Sequence, residues 1–487
     1  MMRKFFVNTL RILLKTALAA SLFICAWFYL SPYFRLDHNT EGDAFRMLPE
    51  NSIDVIALGS SHMQYAFDPA VFYTETGYYS YVMGSQCQPV SITYHMLEEV
   101  LKTQSPEVAV IDVFTLLPAS DVCYAEGNYY VAIDEMTGMN RLTAAETVPD
   151  EQLKTQYRFD LLMNHSNWKN MDFSNIQEIL NIGKPFMDYN YELGYVRQEP
   201  VTVRPTPLIT YERKNRISLS DKEKKEIDDV VALCREHQIT PVFIKTPFIC
   251  DQENTDKLYA VWDYLEEKDV RYIDYVHKAE ELSWFIDMDG DTWHNTSWGA
   301  EIITRDLGRY AVTEKLIKSH EKQNEMEQLC RNMRMITVKS LMNKNNINIY
   351  SLLEFAAKYP CGVAVRYQGK PTTTITEQEN MLLQSLGTKH DFLRNPEENY
   401  YGFFQDGKLI QESSEAFAVS FAGSEIAITY NDILIDGISQ DPDPGELEIY
   451  FMADTLEWLN AVGINYSSQW FWENSCDGYN CIMTCGW

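Results

Sequence analysis

Three short segments of this chain are apolar at every position through their middles: Ile53–Gly59 (IDVIALG), Glu107–Phe114 (EVAVIDVF) and Ile239–Lys245 (ITPVFIK). A strand with one wet face alternates polar and apolar residues. A strand without alternation must be covered on both faces, as in the interior of a parallel sheet. Tyr78–Gly84 and Arg271–Tyr275 read as two further strands, and amphipathic stretches at about Pro89–Thr103, Leu219–His237, Glu253–Lys268 and Ser297–Leu316 read as helices between and after them. Ser220-Asp-Lys-Glu223 is a capping box that fixes the start of the second helix. Strands alternating with helices over residues 53–312 predict an α/β fold, a three-layer parallel sheet with right-handed crossovers.

The interval 118–218 breaks this rhythm, with no strand of the same type and with aromatic, helical material such as Tyr157–Asn170. It reads as an insertion between the third and fourth strands that caps the site. A polar, methionine-rich helical connector follows at 317–345, and a second unit at 346–487. Strands are expected there at Gly362–Tyr367, Tyr401–Gln405, Glu425–Tyr430, Asp432–Ile435 and Glu446–Met452, with a helix near Glu377–Leu386. That pattern predicts a smaller α+β domain. At 487 residues, two folded units are also what length alone suggests.

Charge narrows the partners. With 70 acidic and 41 basic side chains the formal net charge is -29, a surface that repels phosphate backbones, so nucleic acid is excluded as a partner. Thr16–Phe34 carries no charge over 19 residues, the length of a membrane-crossing helix. Arg3, Lys4, Arg11 and Lys15 precede it, Arg35 and Asp37 follow, and Trp27, Tyr29 and Tyr33 suit an interface. No small-residue cleavage site stands at its end. An uncleaved signal anchor over residues 1–35 is therefore expected, with the basic end cytoplasmic and residues 36–487 outside.

Ten cysteines are too few for a disulfide scaffold. Cys476, Cys481 and Cys485 crowd the last dozen residues without a histidine nearby, so a local disulfide, with Cys361 as a candidate member, is preferred to a metal site.

The chemistry-bearing residues cluster at two places. Gly59-Ser60-Ser61-His62 directly follows the first strand, and the carboxyl end of a strand is where open α/β sheets bind ligands. A serine at a helix start beyond that strand is placed as a nucleophile. Asp291-Thr-Trp-His294 follows the fifth strand and precedes the last helix. A D-x-x-H turn lets the carboxylate hold one imidazole nitrogen while the other accepts a proton from serine. The two motifs together, one after the first strand and one before the last helix, point to a Ser-His-Asp triad.

These residues resemble the SGNH/GDSL hydrolase superfamily, which joins a G-x-S turn after strand one, a glycine after strand two and a D-x-x-H near the domain end. The resemblance covers about residues 50–316 and implies a flavodoxin-like SGNH domain at 36–316. It makes Ser61 the nucleophile, Asp291 and His294 the rest of the triad, and the N–H groups of Ser61 and Gly84 the oxyanion donors. With a GSS turn behind an anchor, the chain looks most like the membrane-anchored cell-surface branch that includes DltD and the alginate acetylation proteins AlgJ and AlgX. That branch implies a cell-surface glycan or acylated donor as substrate and a membrane-bound O-acyltransferase as partner. One departure stands out: the family's third oxyanion donor, an asparagine in a G-x-N-D turn after strand three, is replaced here by Asp112-Val-Phe-Thr. Losing one such donor costs about 10²–10³ in rate. Asn164, in the insertion, is a candidate substitute.

Ser60 reads as a turn residue. Because adjacent side chains diverge, His62 reads as a packing or substrate-facing group and not the base. Ser60, His62 and Trp293 are the candidate substrate-facing residues. His95, His165 and His277, with no carboxylate pattern recognised beside them, read as ordinary polar residues. Asp287, Asp289 and Asp291 match the first three ligand positions of an EF-hand, but Thr292 and Trp298 stand where glycine and glutamate belong, so that reading is rejected. No P-loop, Rossmann fingerprint or HExxH occurs, and no cofactor is called for. The C-terminal unit faintly resembles interleukin-like EMT inducer domains, through Cys361-Gly-Val-Ala-Val-Arg366, Ser385-Leu-Gly387 and the strand-turn-strand at Tyr401–Glu412. Its Trp458, Trp470, Phe471 and Trp472 are candidates to stack on sugars. The expectation is an extracytoplasmic serine O-acyltransferase or esterase. The alternative from another class is a non-catalytic glycan-binding or envelope-assembly protein on the same scaffold.

Overall fold

The computed structural model of the chain describes residues 2–30, 41–123, 127–158, 169, 192–197, 211–248, 250–278, 294–295, 297–342, 361–369, 380, 383–384, 387–439, 447–452, 458–464, 470–473 and 483–484. They divide into two compact units, one drawn mainly from residues 1–333 and the other mainly from 334–487.

The first unit is built on five strands: β1 (Val55–Gly59), β2 (Ser80–Gly84), β3 (Val108–Asp112), β4 (Thr240–Lys245) and β5 (Arg271–Asp274). All pairings are parallel, in the order β2-β1-β3-β4-β5. β1, β2 and β3 are buried at every position and β4 at its last four, as the unbroken apolar runs of β1, β3 and β4 require. The chain moves outward from β1 to β2 and then crosses back to β3, so the sheet's topological switch point lies beside β1. At such a point the flanking loops diverge and leave a crevice above the carboxyl ends of the strands.

The helices follow the expected stretches with trimmed ends: Val90–Val100, Asp221–Glu236, Gln252–Glu267 and Ser297–Thr313. The capping box at Ser220 and Glu223 forms in both directions, the Glu223 N–H donating to Ser220 Oγ and the Ser220 N–H to Glu223 Oε2. A further helix, Pro69–Thr76, is capped by Asp68 and packs against Ser297–Thr313. It gave no periodic signal because its buried residues, Pro69 to Phe72, are consecutive.

Of the 118–218 insertion, the described parts include helices Gly127–Asp134, Gly138–Ala145 and Glu151–Arg158. Residues 192–197 lie along the outer side of β2, where the Val82 N–H donates to Leu193 O at 2.9 Å and the Val196 N–H to Gln64 O at 3.0 Å. Asn164, His165 and most of Tyr157–Asn170 fall outside the described residues.

The N-terminal helix runs Met2–Leu30 and exposes Leu10, Ile12, Leu13, Leu14, Leu18, Leu22, Phe23 and Ile24. Among the described residues, no helix is long and apolar enough to cross a membrane. The end of the uncharged stretch, Ser31 to Phe34, falls outside them.

The second unit is antiparallel. One sheet has seven strands: β6 (Gly362–Tyr367), β7 (Tyr400–Gln405), β8 (Lys408–Ser413), β13 (Leu447–Met452), β14 (Trp458–Ile464), β15 (Trp470–Glu473) and β16 (Met483–Thr484). Their order is β16-β15-β14-β13-β6-β7-β8. Four more strands form a second sheet: β9 (Phe417–Phe421), β10 (Ser424–Ile428), β11 (Ile433–Ile435) and β12 (Ile438–Ser439). Phe421, Ile426, Ile428 and Ile433 from the smaller sheet share a core with Ala364, Tyr401, Phe403, Tyr450 and Met452 from the larger. Most of the expected helix near Glu377–Leu386 lies outside the described residues. β8 is the second strand of the strand-turn-strand read at Tyr401–Glu412, whereas β9, whose positions alternate between half-buried and exposed up to Phe421, was not anticipated.

Two cysteine readings change. Cys361 is not in a disulfide: it is a free, fully buried thiol on the edge of the β6 core, and burial pushes its pKa up to about 12. Cys87, which drew no attention as a sequence feature, is disulfide-bonded. Cys476, Cys481 and Cys485 lie outside the described residues.

Candidate active site

β1 ends at Gly59 with φ +141°, and a Cβ there would lie 2.8 Å from Asp112 Cβ. Only glycine lets β1 approach β3 this closely and still turn into the next helix. Ser60 then caps the short helix Ser61–Gln64, its hydroxyl oxygen accepting the His62 N–H at 3.2 Å. Ser61 is the first helical residue, so its N–H is among those without an intrahelical acceptor. Opposite, β2 ends at Gly84, paired in register with Gly59. A Cβ on Gly84 would stand 2.8 Å from Gln64 Cγ and 3.1 Å from Gly59 O, so this approach also demands glycine.

Ser61 Oγ lies 2.8 Å from His294 Nε2, across 233 residues of sequence. Packing of the last helix sets that contact. The Asp68 N–H donates to Thr304 Oγ1 at 3.0 Å, and Glu75 receives Arg305 and Arg309, both at 2.9 Å. The helix Ser297–Thr313 is thereby pinned to the segment that follows the Ser61 turn. Beside His294, the buried Asn295 amide donates to Pro247 O at 3.3 Å, tying the segment to the loop after β4. Tyr65 stacks obliquely on the His294 ring at 4.6 Å between centroids. Asp291 and Trp293 fall outside the described residues.

Ser60 and His62, read as candidate substrate-facing residues, are both almost fully buried. The Ser60 hydroxyl donates to Asp112 Oδ2 at 2.7 Å. His62 stacks on Phe114 with centroids 3.8 Å apart and meets Phe248 edge-on. Its Nδ1 lies 3.2 Å from Lys245 Nζ. An ammonium can only donate, so His62 Nδ1 accepts and the ring proton sits on Nε2. Desolvation first, then the charges of Lys245 and His294, hold the His62 pKa well below its ordinary 6.5, and the ring is neutral. Lys245, the last residue of β4, is also wholly buried. It donates to Thr246 O at 2.8 Å and Thr246 Oγ1 at 3.1 Å, faces Asp112 at 3.6 Å, and lies over the rings of Phe248 and Phe114. Burial lowers its pKa against the opposing pull of Asp112.

Lys245 and the bonding role of Asp112 were missed. The available signal was a charge at the carboxyl end of each of two otherwise apolar buried strands. His277 and His95 also need correcting. His277 Nδ1 is 2.6 Å from Asp274 Oδ2, and His95 Nδ1 is 2.8 Å from Glu98 Oε2. Asp274-Tyr-Val-His277 is itself a D-x-x-H turn, but its Nε2 faces Tyr211 O and not the serine. The spacing makes the carboxylate–imidazole bond readily; strand position decides whether it meets a nucleophile. Among the described residues no group of acidic, histidine and cysteine side chains is arranged to hold a metal ion.

No protein-family model matches the chain, and no curated protein matches it. Among solved structures it is similar to a candidate acylhydrolase from Bacteroides fragilis NCTC 9343, at 14% identity and a TM-score of 0.29, covering 56% of this chain and 95% of that one. It is also similar to a candidate lipolytic protein of the G-D-S-L family from Desulfitobacterium hafniense DCB-2, at 13% identity and a TM-score of 0.27, covering 53% of this chain and 99% of that one. At such low scores these are likenesses only, and the geometry of the site carries the functional reading.

Proposed function

We propose that this chain is a serine acyl-transfer enzyme of the SGNH/GDSL kind, anchored by its N-terminal helix and acting outside the membrane on cell-surface glycans. The observation that carries the reading is the 2.8 Å contact between Ser61 Oγ and His294 Nε2 at the carboxyl end of β1, beside the switch point of a parallel sheet. Ser61 Oγ attacks the acyl carbonyl while His294 Nε2 takes its proton. The N–H groups of Ser61 and Gly84 receive the developing oxyanion. The imidazolium then protonates the leaving oxygen, the ester bond breaks, and an acyl-Ser61 intermediate remains. A sugar hydroxyl (transferase) or water (esterase), deprotonated by His294, attacks that intermediate and restores the serine. Asp291 is assigned to hold the imidazole. The exposed apolar side chains of the Met2–Leu30 helix support the anchor, and a membrane-bound O-acyltransferase is the partner that such a placement fits.

The test is labelling of the full chain with a fluorophosphonate probe. Wild type is expected to label and Ser61→Ala to lose labelling outright while keeping its circular dichroism. Labelling retained in Ser61→Ala would remove the assignment. The binding-protein reading has one observation in its favour: the turn after β3 continues into Val113 and a short helix over Phe114–Leu116, with no amide side chain to serve as a third oxyanion donor. Folded wild-type protein that does not label would make that reading the leading one.

A further inference from the structure

The residues on either side of Ser61 lead to the same buried ion pair. Ser60, before it, donates to Asp112 Oδ2 at 2.7 Å. His62, after it, accepts from Lys245 Nζ at 3.2 Å. Asp112 and Lys245 are the last residues of adjacent strands β3 and β4, both side chains wholly shielded from solvent, with Nζ and Oδ1 3.6 Å apart. We propose that Lys245 is a positioning residue for Ser61, forming with Asp112 a buried ionic anchor that holds the nucleophile's two neighbours and so aims its hydroxyl at His294. The proposal rests on the acyl-transfer reading for what the aim accomplishes, and on geometry alone for the anchor.

The bonding of the pair argues for this role over simple cohesion. The three Lys245 donors go to Thr246 O, Thr246 Oγ1 and His62 Nδ1. Among the described residues, Asp112 Oδ1 has no hydrogen-bond partner. At 3.6 Å the two charges attract without a direct hydrogen bond. A pair with such geometry recovers poorly the cost of taking both ions out of water, and apolar residues of similar volume would serve cohesion as well or better. What apolar residues would not do is hold a hydroxyl on one side and an imidazole nitrogen on the other. The His62 ring, stacked on Phe114 and 5.1 Å from the His294 ring, also forms part of the wall behind His294, so its orientation bears directly on the reacting pair. A displacement of about 1 Å at a nucleophile costs on the order of 10²-fold in rate.

The experiment compares full-length wild type with Lys245→Met/Asp112→Asn. In this double variant both charges are removed together, because Lys245→Met alone strands a buried carboxylate and risks unfolding. The Asp112→Asn change keeps a side-chain oxygen to accept the Ser60 hydroxyl. The expected result is an inactivation rate constant for the fluorophosphonate at least about tenfold lower, with its half-saturating concentration and the thermal melt unchanged. A folded double variant that labels at the wild-type rate overturns the proposal. Ser60→Ala, which cuts the other arm and leaves the ion pair intact, is expected to slow labelling as well, and an unchanged rate there overturns it equally. Should wild type not label at all, the acyl-transfer reading fails by itself, and ¹⁵N shifts of the His62 ring decide the anchor. An Nδ1 resonance that moves between wild type and the double variant upholds the Lys245–His62 bond, and one that stays refutes it.

Discussion

Arg366–Glu448 and Lys245–Asp112 are both ion pairs with the two side chains withdrawn from water, one in each unit, and they are built differently. Arg366 and Glu448 sit opposite each other in register on β6 and β13. The guanidinium reaches Glu448 Oε2 through both Nε, at 2.6 Å, and NH2, and donates from NH1 to Tyr430 O at 2.7 Å. Two donors thus converge on one carboxylate oxygen in direct, charge-assisted contact, and the third ties two neighbouring strands to the segment after β10. Lys245 and Asp112 also sit on neighbouring strands, but their bonds fan out to Thr246, His62 and Ser60. A pair bonded directly to itself staples a sheet; one that leaves its bonds to others organises what lies above it. The second kind stands under the reactive turn.

Substitutions can break or sharpen this contrast. The largest effect is expected at Arg366→Met, which leaves Glu448 buried without its partner and costs about 3–5 kcal/mol, read as an early loss of the second unit in denaturant. Because the Arg366 bonds to Glu448 and Tyr430 both end within its own unit, the labelling rate of Ser61 should not change. A stability loss under about 1 kcal/mol would show that the Arg366–Glu448 pair is not a staple. Next comes Gly84→Ala. Its Cβ, 2.8 Å from Gln64 Cγ, must displace the Ser61 helix or the end of β2, so labelling is expected to slow on the order of 10²-fold with modest loss of stability. Wild-type reactivity would show that the Gly84 approach is not part of the site. Ser60→Ala removes a helix cap as well as the Asp112 bond and should cost about 1 kcal/mol, measured by thermal melting.

The smallest effect is one of pH. Burial holds the His62 pKa well below 6.5, so the unfolded chain takes up a proton there that the folded chain resists. Stability contributed at this position is therefore lost as pH falls below about 6.5, until the depressed folded value is passed. His62→Gln should flatten that acid-side slope relative to wild type; identical slopes would mean that His62 is not a buried neutral ring.

How much of this was legible in the sequence depends on the kind of signal. β1, β3 and β4 could be read because burial on both faces forces an unbroken apolar run. The helix from Asp221 could be placed because its capping box is local. Ser61 and His294 stood out through their place beside strands. Lys245 did not, because a lysine at a strand end is ordinarily a wet one, and only the rings of Phe114 and Phe248 above it make it dry. β9 was not read, although Phe417, Val419 and Phe421 are apolar, because two of its five positions are exposed and it lacks the unbroken run of a strand covered on both faces.

The sequence by itself therefore determined the parallel sheet, the positions of its strands and the residue types at the turn after β1, all consequences of periodicity and local chemistry. Tertiary structure alone decided how close His294 Nε2 comes to Ser61 Oγ, 233 residues away, that the second D-x-x-H histidine, His277, turns to Tyr211 O, and what lies beneath the turn. Those facts depend on how the last helix docks against Pro69–Thr76 and on which strand ends become neighbours, and long-range packing of that kind leaves no mark in residue spacing.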